Sequence, residues 1–320
     1  MKRKKYMGIK QLNTFLKQTC SNQIKKQTFN DIENKKLAID VSIYIYKYLQ
    51  ENALIESFYL MIKLFIKHNI IPVFVFDGKP PKEKYEIIDK RKKEKSIARE
   101  TYEGLEIKLK DLERNPCLKN QEEIFLIKRQ MREEYKKSVK ITIRDIKRVK
   151  NLMNALGVCY VEAEGEADVV CAELVKKKMV YGCLSEDMDM FAYGCNKIYR
   201  DINIYSQTII YYDYIKILKN LKLSSKEFRE ICVFTGTDYN EKNNIYNAFK
   251  LFKLFKRSKE TEFYEWLMKN KYVKDSIVLY KTYFMFDNLE PIKKPNMELK
   301  PINISNLKKI LEKDGFIFPV

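Results

Sequence analysis

Histidine is almost absent from this chain: His68 is the only one in 320 residues. It closes an apolar, helix-like run, where a structural or incidental role is the expectation, so a mechanism that needs a histidine base finds no natural candidate. Cysteine is present but unpatterned. The seven cysteines are scattered, odd in number and free of any Cys-x-x-Cys pair, which points away from both a disulfide framework and a zinc site. Reduced thiols in an intracellular protein are the expectation. No apolar run is long enough to span a bilayer, and no apolar signal segment follows the basic opening "MKRKKYMGIK". Membrane partners and secretion are therefore set aside.

Glycine (9) and proline (8) are also scarce, against an abundance of Lys, Asn, Ile and Tyr. That usage suits an A·T-rich coding sequence, so the local clustering of charge carries more weight than its sum. The sum is nonetheless large: 62 Lys+Arg oppose 43 Asp+Glu, for a formal charge of +19. A polyanionic partner, with nucleic acid ahead of a membrane surface, is what such a balance favours. A hydrophobic share of 45% is that of a soluble, core-forming chain.

Short apolar runs alternate with helical texture. "KLAID", "IIPVFVFDG", "VCYVEAEGEAD", "VYGCLSEDMDMF", "KIYRDI" and "QTIIYYDY" have strand length, and "VSIYIYKYLQENALIESFYLMIKLFIKH" is helical. The pattern predicts an α/β fold, a mainly parallel twisted sheet flanked by helices, whose ligands bind beyond the carboxyl ends of the strands. After the stop signal "DGKPP", residues 79–150 turn helical and polar, with 23 Lys/Arg against 14 Asp/Glu and a break expected at Pro116. This predicts a basic helical insertion between two sheet strands. From about Ser225 the chain becomes amphipathic helix throughout.

Acids recur at the predicted sheet edge. Asp40 and Asp77 close the first two runs, Glu166 and Asp168 open the helix after "CYVEA", Asp187 and Asp189 follow "VYGCLS", and Asp238 follows an apolar helix. Singly, each suits a solvated loop or a helix cap. Together they repel: two unit charges about 5 Å apart cost about 3 kcal/mol at an effective dielectric near 20. Either some are protonated or hard cations lie among them. An oxygen-only donor set points to Mg²⁺, with Mn²⁺ as substitute, and two such ions suit in-line displacement at a phosphodiester.

The blocks "MGIKQL", "AIDVSIYIYKYL", "PVFVFDGKPP", "EGEADVVCAEL", "YGCLSEDMDMFAYGC" and "CVFTGTDY" resemble, in order, the motifs of flap endonucleases, the xeroderma pigmentosum group G class of 5′ nucleases. The resemblance spans Met7 to about Tyr239, and the A·T-rich usage with the departures below looks like divergent members of the kind encoded by large DNA viruses. It implies a PIN-like core over residues 7–225, with a helical arch at about 79–145, and a helical DNA-binding region over 226–320 with a degenerate helix-hairpin-helix. Residues 1–6 would form a basic extension. It also implies that the seven acids are metal ligands, with Glu164 outside the set. Lys84 and Arg91, two helical turns apart, would face the scissile phosphate. Tyr46 would stack on a base beside the cut, core packing being the alternative. Lys79, Lys82, Lys92, Lys93 and Lys242 become candidate DNA contacts.

Three features depart from the family pattern. The Gly-Ile-Gly hairpin usual after the last acid is replaced by "TDYNEKNNIYNAFKLF", leaving Lys242 and "KLFKLFKR" as possible substitutes. A sliding-clamp peptide is not found at "GFIFPV", and "MKRKKY" precedes Met7. The expectation is thus a monomeric, Mg²⁺-dependent nuclease cutting DNA at 5′ flaps, nicks or gaps. A PIN-type ribonuclease and a non-catalytic branch-binding scaffold are the alternatives.

Overall fold

The computed structural model describes residues 8–114, 121–240, 243–288 and 295–316. Pro116, Lys242, Met7 and the basic extension lie outside them. Among the described residues seven strands form one sheet: β1 (Ile24–Thr28), β2 (Lys36–Asp40), β3 (Ile71–Phe76), β4 (Cys159–Glu162), β5 (Gly182–Leu184), β6 (Lys197–Asn203) and β7 (Thr208–Asp213). Their order is β1-β7-β6-β5-β2-β3-β4. From β6 to β4 neighbours pair in parallel, and the far edge adds the antiparallel pairs β6–β7 and β1–β7.

Alternation along β2 shows why both faces must be covered. Leu37 and Ile39 enter one hydrophobic cluster with Phe74, Phe76 and Leu184, while Ala38 enters the other with Val73, Val75 and Cys183. The first cluster is roofed by α2 (Val41–Gln50), α3 (Leu54–Lys67) and α6 (Ile143–Ala155). The second is roofed by α1 (Leu12–Thr19), α7 (Ala167–Lys176), the single turn α8 (Asp189–Ala192), α10 (Ser225–Thr235) and α11 (Ile245–Phe255). The long helical run after β2 divides in two at Asn52, which takes a left-handed backbone (φ 54°).

The insertion is a helical hairpin of α4 (Tyr85–Arg114) and α5 (Gln121–Ser138). Thirty residues make α4 about 45 Å long, yet Ala98 is its one buried residue. Exposed ion pairs bind the two limbs, Lys108 to Glu123 at 2.7 Å and Lys128 to Glu113 at 2.8 Å. Contacts of that kind contribute about 0–1 kcal/mol each. The return limb is tied at its root, where Gln50 Nε2 donates to the Lys136 carbonyl at 2.7 Å. The helix that follows is different in kind: α6 opens with a Thr142–Asp145 capping box and buries Val149, Leu152 and Met153 against the sheet.

Beyond β7, α9 (Tyr214–Leu221) returns to the core, and α12 (Phe263–Lys269) and α13 (Ile277–Asp287) pack with α10 and α11. The last helix, α14 (Ile304–Lys313), crosses to the opposite face and buries Leu311 with α3 and α6. Lys300 N donates to the Gly157 carbonyl at 2.7 Å and Asn303 N to the Ala155 carbonyl at 2.8 Å. Gly157 has φ 69°, and a Cβ there would strike the Lys300 carbonyl.

Candidate active site

Four adjacent parallel strands, β5, β2, β3 and β4, end at the same edge of the sheet. Asp40 is the last residue of β2 and the N-cap of α2, and Asp77 follows β3 directly. Glu166 is the N-cap of α7, with Asp168 in its first turn. Asp187 and Asp189 follow β5, and Asp238 is delivered by the turn after α10. Parallel pairing therefore turns sequence separation into proximity.

The electrostatics record that proximity. Burial, then Asp77, Asp168 and Asp187, push the Asp40 carboxyl well above the usual carboxylate range. Burial and Glu166 drive Asp168 up to about 8. Burial and Asp238 raise Asp187; burial, Asp187 and Asp238 raise Asp189 strongly. The seven acids form one continuous field of repulsion.

The insertion answers with cations. Lys84 Nζ lies 2.5 Å from Glu166 Oε1, with both side chains largely buried. Burial alone would lower the Lys84 ammonium, but Asp168, Tyr239 and Glu166 raise it instead. Arg91 Nη2 reaches Asp238 Oδ2 at 2.7 Å. One further turn along, Lys95 Nζ stands 4.6 Å above the ring of half-buried Tyr46. Lys79, Lys82, Lys92 and Lys93 are exposed, and Lys92 pairs with Asp89 at 3.1 Å. The Glu164 side chain is exposed.

Serines and glycines complete the edge, and sequence reasoning passed over them. Ser42 Oγ donates to Asp77 Oδ2, whose other oxygen accepts the Ala167 N–H at 2.8 Å. Ser185 Oγ donates to Asp40 Oδ2 at 3.2 Å and accepts from Asp187 N at 3.1 Å. Position was the available signal, since Ser42 and Ser185 each stand two residues from an acid. Glu186 turns away from its neighbours: Arg200 lies 3.6 Å off, and Asp201 N donates to it at 2.7 Å.

Whether these residues suit a divalent ion can be judged from the donors. All are oxygens. Asp189 Oδ1 is buried with no hydrogen-bond donor among the described residues, which is costly for a carboxylate without a cation. Gly8, at φ 69°, leaves open the space beside Asp187 and Asp189 that a Cβ would fill. Among the described residues no three such donors close on one point as a direct metal cage, and Lys84 and Arg91 hold Glu166 and Asp238 instead. The donor set fits a hard cation.

Two family models match this chain: the XPG N-terminal domain over residues 7–98 and the XPG I-region over residues 157–238. The chain belongs to the XPG family. The interval between them contains most of the α4–α5 hairpin. A "Probable RAD2-like endonuclease 369L" of Invertebrate iridescent virus 6 is 32% identical over 287 residues, covering 75% of this chain and 68% of the relative. Flap endonuclease 1 of Encephalitozoon cuniculi is 30% identical over 252 residues, covering 73% and 68%. The solved catalytic core of Rad2, in complex with DNA substrate, matches the fold with a TM-score of 0.66 at 22% identity and covers 94% of each chain.

Proposed function

We propose that this protein is a divalent-ion-dependent, structure-specific 5′ nuclease that hydrolyses phosphodiesters at flaps, nicks or gaps in DNA. One observation carries the reading: six carboxylates that end or follow four adjacent strands and a seventh on the turn after α10 repel one another across one edge, beneath two cations, Lys84 at the foot of the basic hairpin and Arg91 on α4. Membership of a family with endonuclease relatives supports it.

Asp40, Asp77, Glu166, Asp168, Asp187, Asp189 and Asp238 would hold two Mg²⁺ or Mn²⁺ ions, some through water. When bound, the ions supply Lewis-acid activation of water and stabilisation of the leaving oxygen. Ser42 and Ser185 orient Asp77 and Asp40 by donating to one oxygen of each, which leaves the remaining lone pairs for the ion. Lys84 and Arg91 place positive charge where negative charge grows on the scissile phosphate, so their effect falls on the chemical step more than on binding. The Tyr46 ring offers a sequence-tolerant face for a base beside the cut. The exposed Lys79, Lys82, Lys92 and Lys93 meet backbone phosphates, fixing position without reading sequence. Residues 226–320 form the duplex-facing part, Lys242 among them, and the protein works as a monomer at DNA inside the cell.

The test is cleavage of a 5′-flap DNA with and without EDTA, beside the same flap in RNA, with Asp187→Ala as control. Metal-dependent cutting of the DNA flap, lost in the variant, is the expected result. Equal cutting in all arms overturns the assignment, and preference for the RNA flap redirects it to a ribonuclease.

A further inference from the structure

Immediately after Asp238 stands Tyr239, which belongs to neither the acid set nor the arch. Its hydroxyl donates to Glu166 Oε2, while Lys84 Nζ holds Oε1 of the same carboxylate. Its ring lies 4.8 Å beneath that same ammonium. Both halves of the Lys84–Glu166 pair thus rest on one side chain, the acid through the hydroxyl and the base through the π-face.

We infer that Tyr239 is a positioning residue for the nuclease site, fixing the rotamer of Glu166 and the height of Lys84 above the acids. This rests on the nuclease reading above. A buried tyrosine commonly finds some partner for its hydroxyl, so the partner's identity is what decides. Here it is a carboxylate among six others, at a helix start whose N–H groups its side chain does not cap.

The turn that presents Tyr239 is itself fastened. Asn240 Oδ1 accepts from Thr237 N at 2.9 Å and from Thr237 Oγ1 at 2.8 Å, and Asn240 Nδ2 donates to the Val233 carbonyl at 2.7 Å. Tyr239 N donates to Thr237 Oγ1 at 3.1 Å, and the ring packs edge-on against Phe286 with centroids 5.8 Å apart. A residue held this firmly can hold others. Asp238 and Tyr239 are consecutive, so one turn receives Arg91 and supports Lys84 together.

Tyr239→Phe removes a single oxygen and keeps the ring, so it separates the two contacts. Groups that orient metal ligands from behind typically contribute 10- to 100-fold in affinity or rate. Three measurements on the full chain apply: single-turnover cleavage of a 5′ flap across Mg²⁺ concentration, flap affinity in EDTA, and Mn²⁺ binding without DNA by calorimetry. Tyr239→Phe is expected to raise the Mg²⁺ half-saturation and weaken Mn²⁺ binding by about tenfold. Its flap affinity in EDTA should stay within about twofold, and its melting temperature should fall by only a few degrees, as expected for the loss of one hydrogen bond. Tyr239→Leu, which also withdraws the ring from Lys84, should lower the saturated rate further. In a Glu166→Gln chain, Tyr239→Phe should have a smaller effect on Mn²⁺ affinity, because the remaining amide oxygen still accepts the hydroxyl but no longer carries the ligand charge.

A wild-type chain that cleaves while Tyr239→Phe matches it in Mg²⁺ profile and Mn²⁺ affinity overturns the inference alone. So does an undiminished effect of Tyr239→Phe in the Glu166→Gln chain. A wild-type chain that neither cleaves the flap nor binds Mn²⁺ overturns the nuclease reading instead.

Discussion

The sheet edge and the helical hairpin sit against each other and are built by opposite means. At the edge, Asp40, Asp168, Asp189 and Asp238 are buried, and each is carried on an element whose neighbours are closed core. In the hairpin, α4 buries only Ala98, and its limbs are joined by ion pairs that water screens. The difference teaches where rigidity is needed. Mutual repulsion among the acids must be held against relaxation, whereas a segment that meets a large ligand belongs to the weakly stabilised part of a fold. The two regions touch at the foot of the hairpin, where Lys84, ending the 3₁₀ turn Lys82–Lys84 just before α4, and Arg91 and Lys95 on α4 each engage a group of the edge or of α2.

The largest effect should come from the edge. Asp189→Asn is expected to slow flap cleavage by at least about a thousandfold, equivalent to roughly 4 kcal/mol of transition-state stabilisation. The same change should not lower the melting temperature, because it withdraws a buried charge that its neighbours oppose. A large drop in melting temperature would mean that Asp189 serves the fold rather than the chemistry.

Next come the contacts between the regions. Lys84→Ala and Arg91→Ala should each cut the single-turnover rate by about 10²- to 10³-fold, with flap affinity nearly kept. Lys92→Ala, one residue from Arg91 but facing water, should weaken binding slightly and reduce its salt dependence while sparing the rate. If Lys84→Ala instead weakened affinity and spared the rate, the cation would be a phosphate holder only.

Stability sharpens the contrast. Phe58→Ala, fully buried under the sheet, should lose about 3–5 kcal/mol in urea unfolding, and Phe125→Ala, 66% exposed on α5, about 0.5 kcal/mol or less. Smallest is a pH effect remote from the acids. Burial raises Glu230 to about 7, ahead of the opposing pull of Lys226. A carboxyl raised in the folded state favours folding at low pH, and that contribution is lost as pH climbs from the unfolded value through about 7. Glu230→Gln should therefore gain melting temperature over the parent at pH 8 and lose the advantage near pH 4. An equal offset at both pH values would remove ionisation as the cause.

The central strands were legible because burial on both faces demands near-continuous apolar runs, as in "KLAID" and "IPVFVF". Acids at their carboxyl ends broke that texture and marked the edge. β1, "IKKQT", was not legible: it is a polar edge strand that pairs with β7, so pairing rather than burial defines it. The first part of α6, to Lys150, was read as the end of a polar insertion, yet Val149 there closes the core with Leu152 and Met153 just beyond, since charge on the outer face masked the amphipathic stripe. The two arch cations were picked out with the acids, but their direct pairing with Glu166 and Asp238 depends on how far α4 leans, which no spacing encodes. Tyr239, Ser42 and Ser185 act through geometry across distant segments, and their residue types alone are unremarkable.

The strap formed by residues 297–311 has a consequence for synthesis. A ribosome delivers β4 and α6 more than a hundred residues before the segment that lies over Gly157 and buries Leu311. Until those residues emerge, the apolar flank where the hairpin rejoins the sheet stays bare. The nascent protein can therefore settle its acid-bearing strands early while the limb that returns from the hairpin waits for its last clasp, and that interval is when a chaperone would find a surface to hold.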